Sequence, residues 1–498
     1  MRTLALALLL GPVLALAQER PEEAEMFGST AAPASQPPPP EGLIKKDQED
    51  PLKIGGQVYL RGQAAWYEHQ SAGDGPLSTP NLVDLFLDAR PNDRVRAFAL
   101  ARTSWNPTGG GSAGPFQDLL GALGATAAPS TQPRAVLDQL WLNFDVDRKV
   151  FVTAGKQHVK WGVGKFWNPT DYLHPTKRDP LAVFDARTGT TMIRAHVPWE
   201  KYGWNFYGIG LLEDASGAAQ PVDTVGRVGG GARAELVLGP AELGLDAVVQ
   251  KGNHPRFGVD LSAGVWELDL YSELAVRTQT DVGRWKEVDA SAGLNQRYAR
   301  IGNDGFEPQL VVGGSWTRQY GKDQDTFTLG LEYFWNGYGY DDPHIYPFLL
   351  VGAPAWNGKP PTAGDTAASD YLTFRDPRAF TSFYLGRHYL GAYAMLPQPG
   401  SWNDTTFTLS VLGNVTDKSF VVRLDHSVLV NTYLRVETFV SVNGGAKGGE
   451  FRLGLDLDPQ LVVKGAGTDP DIYFPAQGST LSVPAPVMSA GVAVRVSL

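Results

Sequence analysis

Apolar and polar residues alternate along most of the chain from residue 53 onward, in runs of roughly ten residues that end at clusters of Gly, Pro, Asn and Asp. Side chains of a strand point alternately to opposite faces, so this pattern predicts strands with one apolar and one polar face. In residues 326–336 the apolar face carries Phe327, Leu329, Leu331, Tyr333 and Trp335. Residues 57–67, 266–277 and 431–443 repeat the same division. The pattern predicts an all-β chain of strands joined by turns.

The length of these runs separates two architectures that share the alternation. Strands of soluble sandwiches and propellers average about five or six residues, whereas strands that cross an outer membrane need about nine to eleven. Residues 326–336 and 57–67 reach the longer value. Aromatic residues near the ends of several runs, such as Trp66 and Trp335, are typical of the girdles at the two lipid boundaries. The chain is therefore predicted to be a transmembrane antiparallel β-barrel, and strand length disfavours the alternative of an exported soluble β-propeller.

Connector lengths alternate along the chain as well. Short links lie near residues 91–93, 147–148, 199–202, 239–240 and 321–325. Long links span residues 106–134, 161–187, 279–307 and 339–378. Short periplasmic turns on one rim and long extracellular loops on the other are typical of outer-membrane barrels. Counting the strands between these links predicts about 18 strands, with a range of about 16 to 20.

Two N-terminal segments precede the predicted barrel. Residues 1–17 combine Arg2, an apolar run and the small residues of a cleavage site, which predicts a secretory signal peptide. Residues 18–52 are rich in Glu and Pro and poor in large apolar residues, which predicts a flexible acidic periplasmic tail. Residues 53–498 then form the barrel. We expect the chain to be exported and inserted into a bacterial outer membrane.

Composition and motifs exclude several classes of function. The chain has no cysteine, which removes disulfide scaffolds, Cys-ligated zinc, Fe–S clusters and thiol catalysis. Its formal net charge of -10 argues against nucleic acid, because phosphate binding needs a basic face. H-E-x-x-H and Walker sequences are absent, and the eight histidines show no metal-type spacing. We therefore predict no enzyme activity, no cofactor and no metal site.

The polar faces of the strands line the lumen if the apolar faces contact lipid. The residues predicted to line the path or its constriction are Arg96, Arg102, Lys156, His158, Lys160, Arg233, Glu267, Glu332, Arg387, Arg423, Arg435 and Glu437. Basic and acidic residues on these faces are balanced in number, whereas an ion-selective pore is expected to show a ring of one sign. The lining therefore favours small polar solutes. The alternative is a closed barrel in which Arg and carboxylate pairs bridge neighbouring strands.

Residues 154–194 are the most distinctive stretch of the chain. We predict that Lys156, His158 and Lys160 share the inward face of a strand, with a bulge near Gly155 to reconcile this with Gln157 on the opposite face. The following loop adds Lys165, Lys177, Arg178 and Arg187. If this loop folds into the barrel mouth, it forms a constriction that attracts anionic or hydroxylated solutes. Alternatively, these charges are solvated or contact lipid head groups.

Two groups of loop aromatics are candidate contacts for a solute or a partner. The first group lies in the basic loop and consists of Trp161, Phe166, Trp167 and Tyr172. The second group includes Trp335, Tyr338 and Tyr340. Aromatic faces of the first group could contact sugar rings, and the second could form a surface platform. Girdle residues at the lipid boundary are the alternative interpretation of the first group.

The basic stretch also carries a resemblance to a known group of proteins. Gly155-Lys156-Gln157, three further residues and Trp161-Gly162, followed by Asn168-Pro169-Thr170-Asp171, resemble the G-[KR]-Q-x-x-x-W-G segment of Gram-negative outer-membrane porin-like proteins. Residues 329–340 and 448–451 are similar to later strands of that group. The resemblance implies a barrel, monomeric or trimeric, that mediates solute passage, and it implies no particular substrate.

These observations together predict an outer-membrane porin-type channel for passive diffusion of small polar solutes, with sugars and organic anions as candidate classes. Its expected contacts are outer-membrane lipid and lipopolysaccharide outside and a small-molecule solute inside. A surface-binding or adhesion barrel with a plugged lumen is one alternative. A transporter of hydrophobic compounds is another, and the polar inner faces speak against it.

Overall fold

A computed structural model describes residues 51–108, 131–174, 176–185, 187–213, 224–278, 284–290, 297–301, 305–320, 325–352, 380–457 and 481–498. The predicted signal peptide and residues 18–50 of the predicted tail lie outside the described residues, and so does most of the loop predicted for residues 339–378. Residue 52, assigned to the tail by the sequence pattern, is instead the first residue of a strand.

The chain forms a closed antiparallel β-barrel. Its main sheet has 19 strands, of which the two-residue strand Leu77–Ser78 pairs only at the rim, so eighteen strands form the wall. They are β1 (Leu52–Tyr67), β2 (Asn81–Asn92), β3 (Val95–Trp105), β4 (Arg134–Val146), β5 (Val150–Gln157), β6 (Thr190–Trp199), β7 (Trp204–Leu211), β8 (Gly229–Leu238), β9 (Ala241–Val249), β10 (Arg256–Val265), β11 (Leu268–Arg277), β12 (Glu307–Tyr320), β13 (Asp325–Asn336), β14 (His388–Pro397), β15 (Thr405–Asn414), β16 (Ser419–Asn431), β17 (Leu434–Gly445) and β18 (Pro486–Ser497). Strand β18 pairs with both β17 and β1, which closes the sheet. The predicted architecture and strand number are confirmed.

Short hairpins and single helical turns lie at the rim from which the long loops leave. Two short hairpins pair Arg284–Glu287 with Tyr298–Ile301 and Leu455–Leu457 with Leu481–Val483. Single helical turns occupy Ala72–Asp74, Val225–Arg227, Pro343–Ile345, Phe348–Gly352 and Glu450–Arg452. In the described part of the chain no helix is long and apolar enough to cross a membrane.

Tight turns join the strands at one rim of the barrel. Asp147 and Arg148, both with positive φ, connect β4 to β5, and Gly239, with φ of 67°, connects β8 to β9. Positive φ at these positions gives turns whose twist matches that of the flanking strands. Trp266 and Glu267 form a similar turn, so the strand predicted for residues 266–277 begins at Leu268 instead. Long connections leave the opposite rim, as the sequence predicted.

The outer face of the barrel is apolar and the inner face is polar. On β13, Leu331 is 59% exposed on the outside, whereas the neighbouring Glu332 is 1% exposed on the inside. Leu60 on β1 and Val440 on β17 are likewise about half exposed on the outside, at 48% and 47%. An apolar band around a closed barrel matches the requirement for contact with acyl chains. The faces predicted from the alternation are those that the structure shows.

Candidate solute pathway

Residues 158–189, named here the lumen loop, connect β5 to β6 and fold into the barrel. The loop contacts strands that are not its neighbours in the wall, since the Tyr172 hydroxyl donates a 2.8 Å hydrogen bond to the carbonyl of Phe257 on β10. Its other anchors lie on β11 and β13. A barrel of this strand number is too wide for its wall side chains to fill. The lumen loop therefore occupies part of the interior.

Glu273 on β11 holds the first part of the lumen loop. Its Oε2 accepts hydrogen bonds from the backbone N–H groups of Val163 and Gly164 at 3.0 and 3.1 Å. Its Oε1 accepts from the N–H and the hydroxyl of Thr170 at 2.7 and 2.8 Å. Hydrogen bonds to an ionised acceptor are about twice as strong as those between neutral groups. This single carboxylate thus fixes two turns of the loop at once.

Glu332 on β13 holds the next part of the loop in the same way. Its carboxylate accepts from the N–H groups of Lys165, Phe166 and Trp167 at 2.6, 3.1 and 2.9 Å. The hydroxyl of Tyr271 on β11 adds a fourth hydrogen bond at 2.7 Å. The sequence predicted Glu332 as a residue that lines the path. The structure places it on the inner face, where its carboxylate binds the loop.

Gly162 allows the loop to approach Glu273 closely. Its φ is +88°, a conformation that favours glycine, and a Cβ atom there would lie 2.4 Å from Glu273 Oε2. Gly164 is equally constrained, since a Cβ atom there would lie 2.0 Å from the Trp167 carbonyl. Two glycines three positions or fewer after a tryptophan are a sequence feature that could have indicated a tightly folded loop, and the sequence analysis did not use it. Sequence reasoning did not connect them to Glu273.

Aromatic side chains of the lumen loop pack inside the barrel. Trp167 is fully buried, stacks on Phe334 at 5.5 Å between ring centroids, and packs at 5.6 Å against the ring of Tyr389, which is tilted by 45°. Its indole N–H donates to the carbonyl of Phe383 at 3.0 Å. Trp161 and Tyr172 are also buried, at 3% and 1% exposure. The reading of these rings as open faces for sugars is therefore wrong, because they form the packed core of the loop.

Ion pairs fix the second part of the lumen loop, from Asp171 to Arg187, which is called the returning part because it leads back to the wall. Arg187 pairs with Asp171 at 2.8 Å and with Asp185 at 2.6 Å. Burial alone would raise the pKa of Asp171, but the adjacent His174 and Arg187 outweigh burial and hold that pKa well below its usual range. Arg102 on β3 pairs with Asp84 and donates to the carbonyl of Asp185 at 2.9 Å. The returning part is thus tied to the wall at β3.

A chain of hydrogen bonds runs from the wall into the loop through two histidines. Asp138 on β4 contacts His158 Nε2 at 2.9 Å, and His158 Nδ1 contacts His174 Nε2 at 3.3 Å. His174 Nδ1 contacts Asp171 at 3.0 Å. His158 was predicted to line the path. It instead lies buried between these partners and attaches the beginning of the loop to β4.

Lys156 faces the outside of the barrel, contrary to our prediction. It lies opposite Leu140 in the β4–β5 pairing, and residues directly opposite in a ladder share a face. Leu140 is 52% exposed on the outer face. The pairing of β5 stays in register through Gly155, which has φ of +126°, so no bulge shifts the pattern. Lys160, three residues beyond the strand, is exposed.

The remaining predicted lining residues are mostly engaged in pairs with carboxylates or arginines. Arg96 pairs with Asp88, Arg233 with Asp260, Arg387 with Asp341, Arg423 with Asp425, and Glu437 with Arg495. Arg435 lines the cavity described next. Glu267 lies in a rim turn and accepts from Trp316 Nε1 at 2.9 Å. Each inward pair presents both signs of charge to the lumen.

The second aromatic group is dispersed. Trp335 lies on the outer face of β13. The Tyr338 hydroxyl donates to the carbonyl of Glu307 at 2.9 Å, and Tyr340 bridges to Gly386. Hydrogen bonds to the backbone therefore hold both tyrosines at the long-loop rim. A shared platform of the three rings is not what the described residues show.

A cavity of about 220 Å³ remains between the lumen loop and the wall. Its loop side is apolar and is formed by Pro180, Leu181, Ala182 and Val183. Its wall side carries Arg423, Asp425, Arg435, Glu437 and Arg495 together with Ser and Thr hydroxyls. The apolar strip 180–183 was not singled out from the sequence. Within the described residues no group of three or more His, Asp or Glu side chains could hold a metal ion.

Solved structures with a similar chain path include porins. A triple mutant of the Rhodopseudomonas blastica porin has a TM-score of 0.38 and 12% identity, with 90% of this chain and 100% of that chain covered. Pseudomonas aeruginosa OccK2 (OpdF) has a TM-score of 0.45 and 11% identity, with 90% and 98% covered. No protein-family profile and no curated protein matches the sequence. The barrel architecture of this chain rests on its own strand pairing.

Proposed function

We propose that this protein is an outer-membrane porin-type channel through which small polar solutes diffuse passively. The observation that carries the proposal is the polar lumen, which the lumen loop narrows while a cavity with charged and hydroxyl-bearing walls remains beside it. Long antiparallel strands with an apolar outer face support a membrane location. The proposal includes export through a cleaved signal peptide at residues 1–17.

The charge arrangement supports weak ion selectivity. Arg423 with Asp425 and Arg495 with Glu437 place opposite charges side by side along the wall of the cavity. Paired charges offer hydrogen-bond donors and acceptors to a solute and present little net field to an ion. We propose sugars and small organic anions as the solutes. Nothing in this arrangement calls for a catalytic role.

The outer surface defines the other contacts of the proposal. We propose that the apolar band contacts acyl chains and that the long-loop rim faces lipopolysaccharide. The exposed Trp199 and Tyr202 at the tight-turn rim suit a girdle at the lipid boundary. A single barrel and a trimer are both compatible with this surface, and chemical cross-linking in detergent distinguishes them.

A plugged barrel is the second candidate, and the buried aromatic cluster around Trp167 is the observation in its favour. Single-channel recording in planar bilayers separates the two functions. Heat-modifiable migration in gels shows whether the protein is folded. Folded protein should give steady current steps with weak ion preference in a salt gradient. Folded and inserted protein that conducts no current would contradict the channel and support the plugged, surface-binding barrel.

A further inference from the structure

The cavity between the lumen loop and the wall extends to the tight-turn rim of the barrel. Its lining runs from Phe166 and Val183 on the lumen loop to Asn403 and Asp404, which lie between β14 and β15 at that rim. Asn403 and Asp404 are exposed, and further inside the side chain of Asp425 keeps 35% of its surface exposed. A solute that enters from the tight-turn rim can therefore reach the polar groups of the cavity wall.

The charged groups of the cavity wall compensate one another. Arg423 donates three hydrogen bonds of 2.9, 2.9 and 2.7 Å to the carboxylate of Asp425. Arg495 pairs with Glu437 at 2.6 Å, and the described lining as a whole holds three arginines and three carboxylates. An anion that binds Arg423 must compete with Asp425, whereas a neutral solute can donate to the carboxylates and accept from the guanidinium groups while the pairs stay intact. The wall therefore favours a neutral solute.

Hydroxyl groups form a row beside these ion pairs. Thr406, Thr408 and Ser410 occupy successive inward positions of β15 and line the cavity. The pairing with β16 places Thr408 opposite Asp425 and Ser410 opposite Arg423. Inward positions recur about every 6.5–7 Å along a strand, and each hydroxyl can both donate and accept a hydrogen bond. This surface is complementary to a solute that carries several hydroxyl groups of its own.

The opposite side of the cavity is apolar. Leu181, Ala182 and Val183 of the apolar strip 180–183 line it and are half-buried. The ring of a sugar has the same two-sided character, because its C–H groups form an apolar face while its hydroxyl groups project from the edge. The cavity of about 220 Å³ is also smaller than the sites of about 300–1,000 Å³ that hold drug-sized ligands. Its shape and chemistry therefore suit a single sugar ring.

We propose that this cavity is a binding site for a neutral sugar in its six-membered ring form. The site rests on the proposed channel function and selects sugars from the two solute classes named there. The apolar strip 180–183 contacts the C–H face of the ring. Thr408 and the Arg423–Asp425 pair bind hydroxyl groups at the ring edge. An organic anion is a poorer ligand, because the arginines that would bind its carboxylate already pair with carboxylates of the wall.

The test measures how added solutes reduce the current of single channels in potassium chloride. The probes are glucose, glucuronate, which adds a carboxylate to the same ring, and sorbitol, an open-chain polyol. Glucose should reduce the current in a saturable manner and at lower concentration than the other two. The double variant T406V/T408V should raise its half-saturating concentration about tenfold. The matched control T317V/T328V removes two hydroxyls that bond each other on β12 and β13, outside the cavity lining, and should change the value less than about twofold.

A second variant tests the apolar side of the cavity. V183T adds a hydroxyl to the apolar strip 180–183 at nearly constant volume. It should raise the half-saturating concentration of glucose about threefold and leave that of sorbitol unchanged. The same comparison remains available if T406V/T408V does not fold. An unchanged glucose value in V183T would contradict contact between the ring face and the strip.

Each other outcome overturns the site or the channel separately. Stronger block by glucuronate than by glucose would show an anion site, and equal block by sorbitol would show that the ring is not recognised. Equal effects of T406V/T408V and T317V/T328V would place the bound sugar outside this cavity. If folded protein conducts no current, the channel function fails, and saturation-transfer NMR of glucose with detergent-solubilised protein then decides the site. Transfer that T406V/T408V weakens and T317V/T328V preserves supports the site, and absence of transfer from the wild type overturns it.

Discussion

Trp167 on the lumen loop and Glu332 on β13 are 165 positions apart in sequence, yet a 2.9 Å hydrogen bond joins the tryptophan N–H to the glutamate carboxylate. The same carboxylate accepts from two further loop N–H groups, those of Lys165 and Phe166. This contact determines where the loop crosses the lumen. The width of the proposed path therefore depends on a buried acid of the wall.

We expect E332Q to loosen the lumen loop. The amide keeps one acceptor oxygen but brings an NH2 group against backbone donors, which lowers the free energy of unfolding by about 2–4 kcal/mol. Single-channel records should show larger and noisier current steps. The matched control, E267Q in the rim turn, should leave both quantities near wild type. Unchanged current in E332Q would show that the loop does not limit the path.

Replacing Gly162 by alanine should strain the loop where it meets Glu273. The left-handed φ and the contact with the carboxylate together cost about 1–3 kcal/mol. The urea midpoint of the protein in lipid vesicles, followed by tryptophan fluorescence, should fall accordingly. Gly208 on β7 is the control, because a Cβ atom there would meet nothing within 4 Å, and G208A should leave the midpoint nearly unchanged.

Truncation of Trp167 should open space inside the barrel. Removing a fully buried aromatic side chain costs about 3–5 kcal/mol, because the cavity collapses only in part. We expect W167A to be less stable and to conduct more current than wild type. W335A on the outer face removes an equal side chain from a position that leaves the lumen intact. Equal conductance of W167A and W335A would place the path away from the aromatic cluster.

Ion preference should depend on pH around neutrality. Burial lowers the pKa of Lys177 to about 7. Its side-chain amine is therefore mostly neutral above that pH and gains a positive charge as the pH falls through 7. The reversal potential in a salt gradient should therefore shift toward anions between pH 8.5 and pH 5.5, as about one charge is added. The variant K177Q should remove that part of the shift. A shift of the same size in K177Q would assign it to other groups.

Strand faces could be predicted from the sequence because a period of two depends only on neighbours along the chain. Leu331 outside and Glu332 inside follow from alternation alone, and both faces are confirmed. Which loop residues Glu332 binds could not be predicted in this way, because they lie more than 160 positions away. Alternation gives the direction of a side chain and says nothing about a loop that returns to it.

Lys156 shows a second limit of the pattern. Its charge suggested an inward position, but the pairing of β5 with β4 places it on the outer face close to the long-loop rim. A lysine near a membrane boundary can extend its ammonium to the head groups while its methylene stem contacts apolar surface. Charge alone is thus a poor guide to the lumen near the ends of strands. Gln157, the next residue, is the buried inward one.

The distance in sequence between the lumen loop and its acidic anchors also sets an order of assembly. Residues 163–170 can bind Glu273 and Glu332 only after β11 and β13 have taken their places, more than 100 positions later in the chain. Contacts of such long sequence separation form late, because the intervening chain must first be ordered. A barrel that has just closed is therefore expected to pass through a wide, leaky intermediate before the loop docks, and the rate of docking determines how long that leak lasts.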